Sequence, residues 1–185
     1  MEQRRTFVLV DGENIDATLG NNLLGGRRPL PEERPRWERV TEFVEQAWGQ
    51  PATGLFFLNA SSGSLPAQFI QALLAMHYRP IPLAGRDDQK VVDLGIQRTL
   101  EELGNRDADV VLVSHDGDFA PHLQALRSPG RRVGVVALRE FVSTQLTALD
   151  LEMFDLEDDV QAFNVPLPRV RIIDLAEFDP GHFLR

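Results

Sequence analysis

The stretch DVVLVSHDGDF, residues 109–119, is the most informative part of the sequence. In it, a predicted strand leads directly into a cluster of polar side chains. Its apolar run from Val110 to Val113 has the β-branched residues typical of a strand that a parallel sheet buries on both faces. Asp116 and Asp118 follow directly. Two neighbouring carboxylates repel each other, so either one caps a helix while the other faces water, or both face a cation.

Strands and helices alternate along the rest of the chain. Apolar runs predict five strands, over residues 6–10, 54–59, 79–83, 109–114 and 132–138. Helical periodicity predicts helices over residues 36–48, 64–77, 88–103, 118–126 and 143–149, with Ser64 as an N-cap. We therefore predict an α/β fold of the Rossmann-like class. It is a three-layer sandwich with a parallel sheet of about five strands in the order 3-2-1-4-5 and helices on both faces.

The predicted domain organisation is one domain over residues 1–155 and a C-terminal extension over residues 156–185. We expect the extension to pack on the domain or on an oligomer partner. Two segments near the boundary, LEMFDLEDDV (residues 151–160) and RVRIID (residues 169–174), are candidate edge strands. A homodimer is therefore possible, and the sequence leaves the oligomeric state open.

Composition narrows the classes of function. The chain has 185 residues, a net charge of −9 and no cysteine, which excludes disulfides, thiolate metal sites and cysteine nucleophiles. The acidic balance argues against wholesale coating of a nucleic acid, yet it allows a local basic surface beside an acidic centre. No apolar run is long enough to span a membrane or to resemble a signal peptide, so we expect a cytoplasmic protein without a membrane partner.

Polar residues cluster where the first and fourth predicted strands end. In a parallel sheet these ends share one edge, where ligands bind. The two strand exits and the helix that begins near Lys90 therefore bring four carboxylates to one crevice: Asp11, Asp93, Asp116 and Asp118. Taken singly, each has a structural explanation as a turn, capping or helix-dipole residue. Together they favour Mg²⁺ or Mn²⁺, because such an ion offsets their repulsion and prefers carboxylate oxygens.

Four segments resemble the NYN domain, a branch of the PIN-like ribonuclease superfamily: VDGEN (10–14), KVVDLGIQ (90–97), VLVSHDGDFAPHL (111–123) and GRRVGVVAL (130–138). The resemblance covers residues 5–155 and implies a PIN-like sandwich that cleaves RNA with Mg²⁺ or Mn²⁺. It also implies the roles of six residues, namely Asp11, Asp93, Asp116 and Asp118 as the catalytic, metal-binding cluster and Asn14 and Ser114 as its polar companions. The chain departs from the family pattern at Arg98 and Thr99, where members often carry a second acidic residue.

The favoured function is metal-dependent hydrolysis of RNA phosphodiester bonds by a metal-activated water. Lys90, Arg27 and Arg28 are the candidate phosphate contacts, beside Asn14 and Ser114. His115 and His122 are weaker candidates for a general acid or base. Two alternatives stay open: a non-catalytic RNA-binding or regulatory module, and a haloacid-dehalogenase-type phosphatase. The phosphatase requires an Asp-x-Asp motif, whereas this chain has Asp-Gly-Glu at residues 11–13.

Overall fold

A six-stranded parallel sheet forms the centre of the computed structural model, which describes residues 3–185. The strands are β1 (Arg5–Asp11), β2 (Ala52–Asn59), β3 (Arg79–Leu83), β4 (Ala108–Val113), β5 (Val133–Ala137) and β6 (Glu152–Asp155). Their spatial order is β3-β2-β1-β4-β5-β6, and every neighbouring pair is parallel. The predicted order 3-2-1-4-5 is confirmed, and the first candidate edge strand adds a sixth position.

Helices cover both faces of the sheet, as predicted. They are α1 (Gly12–Thr18), α2 (Trp37–Trp48), α3 (Ala67–Ala75), α4 (Val91–Leu103), α5 (Ala120–Leu126) and α6 (Thr144–Thr147). The first three pack on one face around Val8, Val10 and Val111, while the last three pack on the other around Leu9 and Leu112. Within residues 3–185, none of these helices has the length and apolar character that crossing a bilayer requires.

The register of the two central strands positions the site. Val10 in β1 pairs with Val113 in β4, so both strands end at the same level of the same sheet edge. All six residues of β4 are buried, in keeping with its run of valine and leucine. Asp11, the last residue of β1, and Ser114, the residue directly after β4, therefore lie side by side.

Three local predictions were wrong. Ser64 does not cap α3, which begins at Ala67 with Pro66 in the cap position, because the Ser64 hydroxyl is bonded to Ser62. The helix after β4 begins with a 3₁₀ turn over Gly117–Phe119, and α5 starts only at Ala120. Residues 169–174 form no strand, because Arg169 turns its side chain into an ion-pair cluster instead of pairing along a sheet edge.

That ion-pair cluster ties the chain after β6 to the sheet. The side chain of Arg169 is only 2% exposed and donates to both carboxylate oxygens of Asp155, at 2.8 and 2.6 Å. It also contacts Glu140 and Glu157. Burial alone raises the pKa of Asp155, but hydrogen bonds from Arg169 and from neighbouring backbone N–H groups outweigh it and hold the pKa well below its usual value. Residues 170–185 are exposed.

Candidate active site at the carboxyl ends of β1 and β4

Asp11 is the buried centre of the site. It is the last residue of β1, it is 2% exposed, and its Oδ2 accepts a hydrogen bond from the Ser114 hydroxyl at 3.0 Å. Its Oδ1 accepts weakly from the backbone N–H of Asn14, at 3.4 Å, which makes Asp11 the N-cap of α1. Burial raises the pKa of Asp11 to about 7. Repulsion from Asp93 and Asp116 also raises it, and the two hydrogen bonds lower it by less than burial raises it.

Ser114 joins the two strand exits. Its hydroxyl donates to Asp11 and accepts from the backbone N–H of Asp116 at 3.1 Å. Asp116 in turn accepts from the backbone N–H of Asp118 at 2.9 Å, so it caps the 3₁₀ turn that follows. The capping alternative is thus observed at Asp116. The capping hydrogen bond uses only Oδ1 of Asp116. Because each carboxylate oxygen has two lone pairs, the carboxylate can still bind a further ligand.

Asp11 and Asp116 are each followed by a glycine, because a neighbouring side chain lies too close to leave room for a Cβ atom. A Cβ on Gly12 would lie 2.6 Å from the Phe56 ring, and a Cβ on Gly117 would lie 2.3 Å from the Ser143 hydroxyl. Real Cβ contacts are essentially never that short. The glycines therefore let the two acidic strand exits pack closely against the elements around them.

His115 has a structural role at the site. Both of its ring nitrogens are hydrogen-bonded, so neither is free to act as an acid or base. The side-chain oxygen of Asn14 accepts from both the backbone N–H and the ring Nδ1 of His115, at 2.8 and 3.0 Å. The backbone N–H of Leu138 donates to ring Nε2 at 2.9 Å, which fixes the neutral tautomer with its proton on Nδ1. Burial lowers the pKa of His115 to about 4. His122 lies near Glu101, away from the N-terminal turn of α4 that carries Asp93.

The first turn of α4 faces the strand exits. Asp93 lies in this turn, where burial raises its pKa and the charges of Asp116 and Asp118 raise it further. Lys90, in the N-cap position of α4, lowers the same pKa by its positive charge. Glu13 also faces Asp93, and its pKa is raised by burial and by that carboxylate. Glu13 is therefore a fifth acidic residue beside the four that were predicted from the sequence.

The carboxylates are close enough to repel each other but are not arranged as a finished ion cage. Within the part of the chain that the structure describes, no three acidic or histidine side chains are placed to hold a metal ion as they stand. Asp116 turns one oxygen to its own cap, and Asp118 is exposed. A metal site here requires the outer carboxylates to turn toward Asp11.

The arginine-rich loop before α2 is ordered by its own ion pairs. Arg27 donates to both carboxylate oxygens of Glu33, at 2.7 and 2.6 Å. Arg34 binds Asp16 of α1 at 3.1 Å, which holds the loop beside the site. Arg28 is exposed and makes no ion pair with residues 3–185. The phosphate-binding role of Arg27 and Arg28 stays a prediction, with Arg28 the less engaged of the two.

Fold, strand exits and acidic cluster define a PIN-like α/β domain, and comparison with known proteins gives its family. The NYN domain model matches residues 5–157, most of the chain, so this chain belongs to the NYN domain family, a PIN-like nuclease family. The chain also resembles the crystal structure of a protein of unknown function from Vibrio parahaemolyticus. The TM-score is 0.65 at 18% identity, over 85% of this chain and 95% of that one, a likeness of fold. No curated protein matches in sequence.

Proposed function

We propose that this NYN domain is a ribonuclease that hydrolyses RNA phosphodiester bonds with Mg²⁺ or Mn²⁺ at Asp11, Asp93, Asp116 and Asp118. The observation that carries the proposal is that the Asp11 carboxylate is buried without a counter-charge. Its carboxylate is 2% exposed, its pKa is raised to about 7, and no cationic side chain among residues 3–185 is bonded to it. Burying a carboxylate without a counter-charge costs stability, and a bound cation would remove that cost.

The carboxylate oxygens of the site are of the kind that such an ion binds, although they are not arranged around a common point. Carboxylate oxygens without sulfur or histidine ligands suit Mg²⁺ and Mn²⁺. Asp11 and Asp116 would hold the ion directly, with Asp93 and Asp118 binding it directly or through water. When bound, the ion would supply positive charge to the phosphoryl oxygens and lower the pKa of an attacking water.

The remaining residues of the site orient this centre. The Ser114 hydroxyl fixes the Asp11 carboxylate from one side, and the backbone N–H of Asn14 fixes it from the other. His115 holds the Asn14 side chain through two hydrogen bonds, which connect α1 to the exit of β4. Lys90 and Arg28, which are both exposed, would contact the phosphates of the RNA.

The test is direct. Purified protein is incubated with structured and unstructured RNAs in Mn²⁺ or in EDTA, beside the nearly isosteric variant Asp116→Asn. We expect cleavage by the parent in Mn²⁺, none in EDTA, and RNA binding by Asp116→Asn without cleavage. Equal cleavage by the parent and by Asp116→Asn would contradict the proposal and leave Asp116 as a helix cap only.

A second candidate function is non-catalytic RNA binding, and one observation favours it. The carboxylates among residues 3–185 are not arranged to hold a metal ion as they stand. A binding module needs no such rearrangement. Tight RNA binding by the parent without turnover in Mg²⁺ or Mn²⁺, at any pH at which the protein is folded, would favour this function over hydrolysis.

A further inference from the structure

Residues 170–185, which we call the arm, form a segment with many exposed apolar side chains. Of the twelve large apolar side chains that are exposed within residues 3–185, seven lie in the arm: Val170, Ile172, Ile173, Leu175, Phe178, Phe183 and Leu184. Single exposed apolar side chains are ordinary on a protein surface, whereas a concentration of them marks a surface that contacts another molecule. The arm therefore has the composition of a binding segment.

The arm has local structure of its own. It contains two 3₁₀ turns, each capped by an aspartate, Asp174 or Asp179, that accepts from a backbone N–H at 2.9 Å. The rings of Phe178 and Phe183 lie 5.9 Å apart. A segment ordered in this way loses less conformational entropy on binding than an irregular coil does. Because both aspartates serve as caps, Glu177 is the carboxylate of the arm without a hydrogen bond or ion pair in residues 3–185.

A pocket of about 290 Å³ opens between β3 and α4. Its lining includes the apolar side chains of Ile81 and Leu83 in β3 and of Leu94 in α4, which is 38% exposed. Arg98 lines the pocket too; it is exposed, and its guanidinium makes no ion pair or hydrogen bond within residues 3–185. The pocket therefore fits an apolar side chain that is accompanied by a carboxylate.

The free edge of β3 does not favour the addition of a further strand. The C=O of Leu83 accepts from the N–H of Ala60 on the β2 side, so the peptide groups of Pro80 and Pro82 face outward. Proline has no N–H, so this edge lacks the donors that a new strand would need. An occupant must therefore contact side chains, and the arm can do so because it contains turns and no strand.

We propose that the arm of one copy of this chain docks in the pocket between β3 and α4 of a second copy, with Phe178 in the pocket and Glu177 bonded to Arg98. The two charges are complementary, and each lacks a partner within its own described chain. Such a pair matters in a chain with a net charge of −9, since two copies otherwise repel each other. The inference is independent of the proposed function, because it involves neither RNA nor a metal ion.

The pocket of a second copy is a better match than the pocket of the same copy. The arm follows Arg169, which is bonded to Asp155 at the end of β6. The pocket lies beside β3, at the opposite edge of the sheet and roughly 24 Å away at the usual strand spacing. Helices cover both faces between these edges, so the arm would have to pass around them. Two copies that exchange arms fill both pockets and close as a dimer.

The first test is the mass of the full chain in solution, measured by light scattering over a range of concentrations. Leu94→Glu places a charge at the pocket, and the matched control Leu74→Glu places the same charge on an exposed leucine of α3, outside it. We expect the parent to approach twice the monomer mass as its concentration rises. Leu94→Glu should weaken dimerisation roughly thirtyfold, the loss of one central interface contact, whereas Leu74→Glu should dimerise like the parent.

The second test exchanges the two charges. Arg98→Glu and Glu177→Arg should each weaken dimerisation by about tenfold or more, because each places like charges opposite one another in both contacts. An equimolar mixture of the two variants should restore dimerisation, because each arm then meets a pocket of opposite charge. Recovery in the mixture also shows that both variants are folded.

Three results would overturn the inference. A parent that stays monomeric up to about 1 mM would exclude a second copy as the occupant of the pocket. A dimer that Leu74→Glu disrupts and Leu94→Glu preserves would instead have its interface on α3. A mixture of the two charge variants that associates no better than either variant alone would exclude the pairing of Glu177 with Arg98, and with it the proposed docking.

Discussion

Two groups of carboxylates lie at the carboxyl edge of the same sheet and are built in opposite ways. Asp155 ends β6 and is bonded by the buried guanidinium of Arg169, which holds its pKa well below the usual value. Asp11 ends β1, and its hydrogen-bond partners among residues 3–185 are only a hydroxyl and a backbone N–H; burial raises its pKa to about 7. Both carboxylates are buried, so the difference lies in the counter-charge.

The contrast separates a carboxylate cluster that arginine neutralises from one that has no counter-charge among residues 3–185 bonded to its buried member. The chain contains enough arginine to neutralise a buried carboxylate, and it does so at Asp155. Leaving Asp11 without such a partner costs folding stability, which is a common property of sites that bind a ligand or an ion. The following predictions test whether the two clusters differ in this way.

The largest expected effect is on catalysis. Asp11→Asn should lower RNA cleavage by roughly a thousandfold, about 4 kcal/mol of transition-state stabilisation, because it removes an anionic ligand from the proposed metal centre. Cleavage rates at saturating RNA in Mn²⁺ measure it. Asp107→Asn, which alters an exposed carboxylate at the opposite end of the sheet, should cleave like the parent. Cleavage by Asp11→Asn at the parent rate would remove the distinction between the clusters.

The second prediction concerns the structural cluster. Arg169→Met should lower the free energy of unfolding by about 3 to 5 kcal/mol, because it leaves buried carboxylates without their counter-charge. Urea denaturation measures it. Arg171→Met is the control, since Arg171 pairs with Asp158 at the surface and should cost about 1 kcal/mol or less. Equal losses for the two variants would show that the Arg169 cluster contributes no more than a surface ion pair.

The third prediction uses pH. The folded pKa of Asp11, about 7, lies above its unfolded value of 3.8, so between these values the folded state binds more protons and stability falls as pH rises. In EDTA this loss should reach about 4 kcal/mol by pH 8. Asp155, with a lowered pKa, acts in the opposite sense: its contribution is present above its unfolded pKa and disappears as pH falls through the folded value. Asp11→Asn should abolish the decline near neutral pH, and its persistence in that variant would contradict the assignment to Asp11.

Metal binding gives the fourth prediction. Mn²⁺ at a hundredfold excess over its Kd should raise the free energy of unfolding by about 2.7 kcal/mol, which corresponds to a Tm increase of roughly 5 to 10 °C. Thermal unfolding measures it at constant pH. The increase should be lost in Asp116→Asn and kept in Arg169→Met, because only the first variant alters the proposed ion ligands. An unchanged Tm of the parent at millimolar Mn²⁺ would contradict the proposed metal site.

The smallest expected effect is on RNA affinity. Arg28→Ala should weaken RNA binding by a few fold, about 1 kcal/mol, and reduce the salt dependence by about one phosphate contact. Arg27→Ala should have less effect, because that guanidinium is already bonded to Glu33. Binding isotherms at several salt concentrations measure both. Turnover at saturating RNA should stay unchanged, and a lower turnover would place these arginines at the chemical step.

The sequence predicted the sheet order and the neighbouring positions of Asp11 and Ser114, because both follow from strand periodicity and parallel topology. It could not predict that Glu13 faces Asp93, since the rotation of α1 about its axis depends on how Gly12 packs against Phe56. Local patterns likewise gave no sign of the pairing between Arg169 and Asp155. That pairing joins residues 14 positions apart across an irregular segment.

The hydrogen bonds of His115 have a consequence for chemical labelling. Its ring is buried and uses both nitrogens, one toward Asn14 and one toward the end of β5. A reagent that acylates imidazole can reach this ring only after local opening, and the product cannot restore both bonds. Inactivation by such a reagent is the usual diagnostic for a catalytic histidine. Here it would instead report the loss of the hydrogen bonds that connect α1 to the end of β5. Protection by RNA would carry the same ambiguity, because RNA bound over the strand exits would slow the opening.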